Sequence, residues 1–175
     1  MSALWEWLIG ILDRLRFWFI VQPNEGAVRT FCGRRVTVLG PGLHWICPIL
    51  GEGTVAPITE QVIDIRSQSL TTMDNIPVAI GVSIAYEVKD AEKAILRVQD
   101  WDESLANEAL RVVGQFVSTH NYDDCLKSDV FAEQIIKDLK EIATRRWGLK
   151  IIRVGLSDLV KCKAFRIMGI ERQAE

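Results

Sequence analysis

The first 21 residues most constrain what this chain can fold into, because they are as apolar as a membrane segment yet carry charges that a spanning helix would not. Glu6, Asp13, Arg14 and Arg16 interrupt the apolar residues between positions 4 and 21. No uninterrupted apolar run therefore approaches the roughly 20 residues that cross a bilayer. The segment also lacks a basic region ahead of an uncharged core, so its pattern is not that of a secretory signal.

At helical periodicity, the charged and apolar side chains of this segment fall on opposite arcs. A wide apolar arc rich in Trp is typical of a helix that lies flat in the membrane interface. We therefore predict an amphipathic membrane helix over residues 1–21; the alternative is a helix buried in a core or in a dimer contact. The expected membrane contacts on this arc are Leu4, Trp5, Leu8, Ile11, Leu12, Leu15, Trp18 and Phe19.

A basic segment follows the predicted helix. Residues 14–35 hold five arginines against the single acid Glu25, a net charge of +4, whereas the whole chain has a net charge of −2. The overall charge argues against a nucleic-acid partner. The local charge suits anionic headgroups, at about 1 kcal/mol per charge, and favours the cytoplasmic side of a membrane; the alternative is a solvated loop. The candidate headgroup contacts are Arg14, Arg16, Arg29, Arg34 and Arg35.

The next part of the chain is rich in β-formers. Two runs, Ala27–Phe31 and Arg34–Leu39, flank Cys32-Gly33 and predict a hairpin. The apolar stretch 43–50 that follows is short and interrupted by Pro48, so it cannot span a bilayer. We predict that it is a second loop in contact with the membrane; the alternative is that it fills the core. Its candidate membrane contacts are Leu43, Trp45, Ile46 and Ile49.

Residues 78–88 alternate more clearly than any other stretch of the chain. One face holds Val78, Ile80, Val82, Ile84, Tyr86 and Val88, as a core face should. The other face is small, which permits the close approach of another backbone. We expect Ala79, Gly81, Ser83 and Ala85 to contact a second copy of the chain; the alternative is that they receive a helix of the same chain.

The second half of the chain changes to helical periodicity. Short apolar stripes predict helices over Asp90–Val98, from Asp100 onward, and over Asp129–Trp147, with Gly148 ending the last one. A strand over Leu149–Leu156 follows. The predicted class is α+β, with three helices packed on one face of a mostly antiparallel sheet and the amphipathic membrane helix in front.

Neither a catalytic constellation nor a metal or cofactor motif is present in the sequence. The four cysteines form no CxxC pair, and their spacing from His44 and His120 matches no zinc pattern. The two histidines lie far apart and are expected to be structural, which disfavours an enzyme. Free thiols are the simplest interpretation, with acylation of Cys32 or Cys47 an alternative near the membrane.

Several motifs resemble the stomatin/prohibitin/flotillin (SPFH, band 7) domain, over roughly residues 20–175. They stand in the family's order along the chain: Gln22-Pro23-Asn24-Glu25-Gly26-Ala27-Val28, Gly40-Pro41-Gly42-Leu43-His44-Trp45-Ile46-Cys47-Pro48, Leu70-Thr71-Thr72-Met73-Asp74-Asn75-Ile76-Pro77-Val78, Val98-Gln99-Asp100-Trp101-Asp102-Glu103-Ser104-Leu105, Trp147-Gly148-Leu149-Lys150-Ile151 and Glu171-Arg172-Gln173-Ala174-Glu175.

The resemblance implies a non-catalytic membrane scaffold that assembles into rings or cages and organises a membrane microdomain, its lipids and client membrane proteins, among them membrane proteases. It divides the chain into a membrane helix (residues 1–21), an SPFH domain (residues 22–162) and the start of a C-terminal helix (residues 163–175). The family's membrane segment is usually less charged than this one, and its C-terminal helix usually continues further. The alternative function is a soluble adaptor whose N-terminal helix docks onto a partner protein.

Overall fold

The structure is a computed structural model that describes residues 18–47 and 50–162 of the chain. Within these residues the fold is α+β and every strand pairing is antiparallel. The strands are β1 (Trp18–Val21), β2 (Glu25–Phe31), β3 (Arg35–Leu39), β4 (Gly42–Trp45), β5 (Gly51–Pro57), β6 (Gln61–Thr71), β7 (Pro77–Val88) and β8 (Leu149–Lys161). The helices are α1 (Ala91–Arg97), α2 (Trp101–Thr119), α3 (Tyr122–Cys125) and α4 (Ser128–Ile142), with a π-helical turn over Ala143–Trp147.

The strands form three sheets rather than the single sheet that we predicted. A two-stranded ribbon pairs β1 with β4, a second sheet has the order β3-β2-β5, and a third has the order β6-β7-β8. The helices are also divided: α2 and α4 pack on the third sheet, whereas α1 packs against β2 and β5. Gly26 permits that contact, because a Cβ there would lie 2.8 Å from the Cβ of Ala91. The prediction of three helices on one face is therefore wrong.

The turns follow the sequence closely. Cys32 and Gly33 both have positive φ, 51° and 62°, between β2 and β3. Two adjacent left-handed residues match the right-handed twist of a hairpin, so the predicted hairpin is confirmed. Gly148, at φ 69°, ends the helical segment before β8 as predicted. It also passes close to the start of α1, since a Cβ at Gly148 would lie 2.7 Å from the Asp90 carbonyl oxygen.

The main core lies between the β6-β7-β8 sheet and the helices α2 and α4. The predicted apolar face of β7 is buried along its whole length, with no side chain more than 4% exposed. The predicted stripe of α2 and the inward residues Phe131, Ile135 and Leu139 of α4 close the other side of this core. Asp100 caps α2, because its side chain accepts a 3.0 Å hydrogen bond from the Glu103 amide. Periodicity thus predicted the core of this half correctly.

The prediction of a helix over residues 1–21 is wrong for residues 18–21. Residues Trp18–Val21 form β1 and pair with β4 instead of continuing a helix. Residues 1–17 lie outside the described residues, as does the predicted C-terminal helix over residues 163–175. Among the residues that the structure describes, no helix is both long enough and apolar enough to cross a bilayer.

Candidate membrane-binding site

The ribbon of β1 and β4 presents four large apolar side chains on one face. Trp18 pairs directly with Trp45, and Ile20 pairs directly with Leu43. Directly opposed residues lie on the same face of an antiparallel pair, and so do residues two apart along a strand. The exposed fractions are 62% for Trp18, 67% for Ile20, 72% for Leu43 and 66% for Trp45. We call these four side chains the apolar ribbon face.

The opposite face of the ribbon packs onto the β3-β2-β5 sheet. Val21 is 2% exposed and contacts Ala27 and Leu39, with Phe19 packed against the same small cluster. Ile46, just after β4, is 7% exposed. Phe19 and Ile46 were predicted as membrane contacts, and this placement corrects both, because they face the protein. Alternation along a strand sends Phe19 to the side opposite its neighbours Trp18 and Ile20.

Glycine in β5 makes this close packing possible. A Cβ at Gly53 would lie 2.8 Å from Ile46 Cδ1 and 3.2 Å from Phe19 Cζ. The ribbon therefore rests directly on the backbone of β5. Beside this contact an open groove of about 460 Å³ is lined by Trp18, Phe19, Ile20, Ile46 and Gly53.

Arg29, on β2, holds the ribbon through a hydrogen bond to β4. Its Nη1 donates a 3.0 Å hydrogen bond to the backbone carbonyl oxygen of Trp45. Its Nε atom, by contrast, is buried. This guanidinium was predicted to contact headgroups, but in the structure it is half-exposed and bonds to the protein's own backbone, where it positions the strand that carries Trp45.

The other predicted cationic contacts have different environments. Arg34 and Arg35 are exposed beside the β2–β3 turn. Arg14 and Arg16 lie outside the described residues, together with Leu4, Trp5, Leu8, Ile11, Leu12, Leu15 and Ile49 of the predicted membrane contacts.

Sequence reasoning missed Ile20, which completes the apolar ribbon face. A helical period places Ile20 away from the predicted arc, whereas the strand period of two places it beside Trp18. The signal was the uninterrupted apolar run 17–21, which fits a short strand as well as a helix end.

The small face of β7 lies on the side of its sheet away from the main core. The four predicted contacts, Ala79, Gly81, Ser83 and Ala85, alternate with the buried residues that meet α2 and α4. Neighbouring strands crowd the middle of this face, since a Cβ at Gly81 would lie 2.8 Å from Ser157 Oγ and 3.0 Å from Ser67 Oγ. On this face Gly81 and Ala85 are buried and Ala79 and Ser83 are half-buried, and its role as a contact between copies stays a prediction.

Three polar side chains with structural partners are Tyr86, His44 and His120. The Tyr86 hydroxyl donates to the Asp102 carboxylate and lies 2.7 Å from Gln61 Oε1, so it joins β7, β6 and the start of α2. Burial, followed by the Asp102 hydrogen bond, raises the pKa of Tyr86 well above its ordinary value. His44 Nε2 donates to the Gly40 carbonyl oxygen, at 2.6 Å, and His120 stacks on Phe116.

In the described part of the chain, no group of three or more His, Cys, Asp or Glu side chains could hold a metal ion. Its four cysteines are free thiols, with Cys32 exposed and Cys125 buried. The geometry thus defines a class of protein: a small α+β domain whose most distinctive surface is the apolar ribbon face.

Comparison with known sequences assigns the family. The SPFH domain / Band 7 family matches residues 19–174, so the chain belongs to this family. An uncharacterized protein of Archaeoglobus fulgidus is 30% identical over 98% of this chain and 71% of its own length. A stomatin homolog of Pyrococcus horikoshii is 28% identical over 89% of this chain and 58% of its own length.

Stomatin-4 of Caenorhabditis elegans is 26% identical over 96% of this chain and 65% of its own length. The chain thus spans less than two thirds of these two stomatin relatives. The resemblance drawn from the sequence motifs is confirmed.

Proposed function

We propose that the protein is a membrane-associated oligomeric scaffold that organises a membrane microdomain, together with its lipids or client membrane proteins, a membrane protease among the possible clients. Stomatin-like proteins are generally non-enzymatic scaffolds at membranes, which supports the class. The observation that carries the proposal for this chain is the apolar ribbon face, whose four side chains are each more than 60% exposed.

An exposed face of this composition needs a covering partner. Two Trp rings at one end favour the headgroup level of a bilayer, while Ile20 and Leu43 supply aliphatic surface two residues further along. Full burial of a large apolar side chain contributes roughly 1.5–3 kcal/mol. Four such side chains therefore add substantially to any binding by residues 1–17, which precede β1 directly.

Liposome flotation of the full chain tests the membrane contact. We expect Leu43→Glu with Trp45→Glu to reduce the floated fraction at least tenfold, because two charges would enter the apolar interface. The matched control is Leu126→Glu, since Leu126 is also exposed, at 53%, but lies between α3 and α4. Equal flotation of the double variant and the control would contradict the proposal.

Anionic lipid should strengthen binding through the exposed Arg34 and Arg35, which would place the domain on the cytoplasmic side of the membrane. Charge reversal of both residues should weaken binding to vesicles with 30% phosphatidylserine at low salt and leave binding to neutral vesicles unchanged. Equal binding of the unaltered protein to the two kinds of vesicle would remove this part of the proposal.

The second candidate function is an adaptor that docks the same surface onto a partner protein. The open groove beside Trp18 and Ile46 favours it, because a partner helix could place a side chain there. The flotation experiment separates the two functions, since an adaptor leaves protein-free liposomes unbound.

A further inference from the structure

The open groove beside the ribbon, which we call the ribbon groove, has an apolar lining. Its lining residues are Trp18, Phe19, Ile20, Ile46 and Gly53, and none of these five carries a charge. Its volume of about 460 Å³ lies within the roughly 300–1,000 Å³ of pockets that bind small molecules, which are also mostly apolar and aromatic. The lining therefore suits a ligand made of hydrocarbon.

The mouth of the ribbon groove adjoins the apolar ribbon face. Trp18 and Ile20 belong to both surfaces and are 62% and 67% exposed. Phe19 lies between them in β1 and points to the opposite side of the strand, as alternation requires. It is half-buried, and Ile46 is 7% exposed. The groove thus leads from the outer apolar face toward two side chains that face the protein.

Gly53 keeps the inner part of the ribbon groove free of a side chain. A Cβ at this position would lie 2.8 Å from Ile46 Cδ1 and 3.2 Å from Phe19 Cζ. A larger residue would compete with these two side chains for the same space. Glycine therefore preserves the depth of the groove as well as the contact between the ribbon and β5.

A bilayer that contacts the apolar ribbon face also meets the mouth of the ribbon groove. The groove then holds either water or hydrocarbon. Water would leave its apolar and aromatic lining hydrated, which is unfavourable, whereas hydrocarbon removes that lining from water. Since Trp18 and Ile20 belong to both surfaces, one occupant, the lipid phase, covers the ribbon face and fills the groove.

We propose that the ribbon groove receives one acyl chain of a bilayer phospholipid when the protein is bound to a membrane. The inference rests on the proposed function, because it names how the scaffold holds a lipid. A chain in the groove lies against Phe19 and Ile46 at the level of the interface, whereas the chain ends of other lipids lie near the bilayer centre. Each copy thereby holds one lipid beside the protein.

Photocrosslinking from a phospholipid tests the inference directly. The probe is a phosphatidylcholine with a diazirine at the terminal carbon of one acyl chain, mixed into phosphatidylserine-containing liposomes. The full chain is floated, irradiated and digested, and the adducts are located by mass spectrometry. We expect adducts on Phe19 and Ile46, because only a chain that enters the groove brings its end to these two residues.

Ile20→Trp and Leu43→Trp form a matched pair of variants. The two residues pair directly across the ribbon and are 67% and 72% exposed, but only Ile20 lines the groove. The larger indole at position 20 should obstruct the mouth and lower the adduct yield on Phe19 and Ile46 about fivefold or more. Leu43→Trp should not lower this yield. The yield is measured on floated protein only, so that a difference in membrane binding does not enter.

The outcomes separate this inference from the proposed function. Floated protein with adducts on the apolar ribbon face but none on Phe19 or Ile46 would overturn the acyl-chain site and leave membrane binding intact. That result is expected if residues 1–17 or a partner protein fills the groove instead. An equal loss of adducts in the two variants would also contradict the site. Protein that floats with no liposome would refute both the membrane contact and the acyl-chain site.

Discussion

The guanidinium of Arg29, on β2, donates a 3.0 Å hydrogen bond to the backbone carbonyl oxygen of Trp45, on β4. This contact links the sheet of the N-terminal half to the ribbon that carries the exposed aromatic side chains. A residue that looks like a surface cation in the sequence therefore positions the candidate membrane-binding site, and its replacement should disturb the ribbon before it changes the charge of the surface.

Arg29→Met should destabilise the protein by about 1–2 kcal/mol, because the Trp45 carbonyl loses a charge-assisted hydrogen bond. The ribbon should also loosen, so the Trp fluorescence maximum should shift in the native state. Urea unfolding followed by fluorescence measures both effects. Arg34→Met is the control, because Arg34 is exposed in the hairpin turn. An equal loss of stability in the two variants would contradict the role of Arg29 in holding the ribbon.

Gly53→Val should destabilise the protein by about 1–3 kcal/mol through overpacking. Its Cβ would lie 2.8 Å from Ile46 Cδ1 and against the Phe19 ring, so the ribbon must move away from β5. Thermal unfolding and near-ultraviolet circular dichroism report the change. Gly40→Val provides the comparison, since a Cβ at Gly40 meets nothing within 4 Å; similar melting temperatures for the two variants would count against the packing described.

Tyr86→Phe should cost about 1–2 kcal/mol, because the Asp102 carboxylate and Gln61 lose their shared hydroxyl partner. The pKa of Tyr86 is raised, chiefly by burial, so the fold favours the neutral phenol. This contribution is fully present below the ordinary value of 10.0 and is lost as the pH rises above it.

The difference in stability between the wild type and Tyr86→Phe should therefore shrink above pH 10, as measured by urea unfolding between pH 8 and 11. A difference that stays constant over this range would show that the hydroxyl is not buried against Asp102.

Cys125 should resist thiol reagents in the native state, whereas Cys32 should react rapidly. Cys125 is fully buried, and burial followed by the charge of Asp124 raises the pKa of its thiol. Cys32 is exposed in the hairpin turn. Labelling with a chromogenic disulfide, compared between Cys32→Ser and Cys125→Ser, should show the fast phase lost only in the former. Loss of the fast phase in Cys125→Ser would contradict the assigned burial.

How well the sequence predicted the site depended on whether each stretch was given the periodicity of a helix or of a strand. Leu43 and Trp45 were predicted as membrane contacts within a short apolar stretch interrupted by proline; both are exposed, and the membrane contact itself stays a prediction. Ile46 and Phe19 were predicted as membrane contacts too but face inward. A strand turns alternate side chains to opposite sides, and which side is buried depends on the sheet against which the strand packs.

Local chemistry, by itself, determined the turns, the caps and the main core. Cys32-Gly33 and Gly148 adopt positive φ because their positions in turns require it, Asp100 caps α2, and the alternation of β7 selects its buried face. Motif order identified the family. These features arise from residues a few positions apart, so their physical causes are visible in the sequence.

Only the tertiary structure decided how the N-terminal half is arranged. β1 pairs with β4 across more than 20 residues, Gly53 receives Phe19 and Ile46, and Arg29 reaches the carbonyl of Trp45. The run 18–21 is compatible with a helix or a strand, and its backbone hydrogen bonds become those of a strand only when β4 is beside it. The apolar ribbon face is the result of that distant pairing. An isolated segment has no partner for its backbone hydrogen bonds and no neighbouring sheet to determine which of its faces is buried.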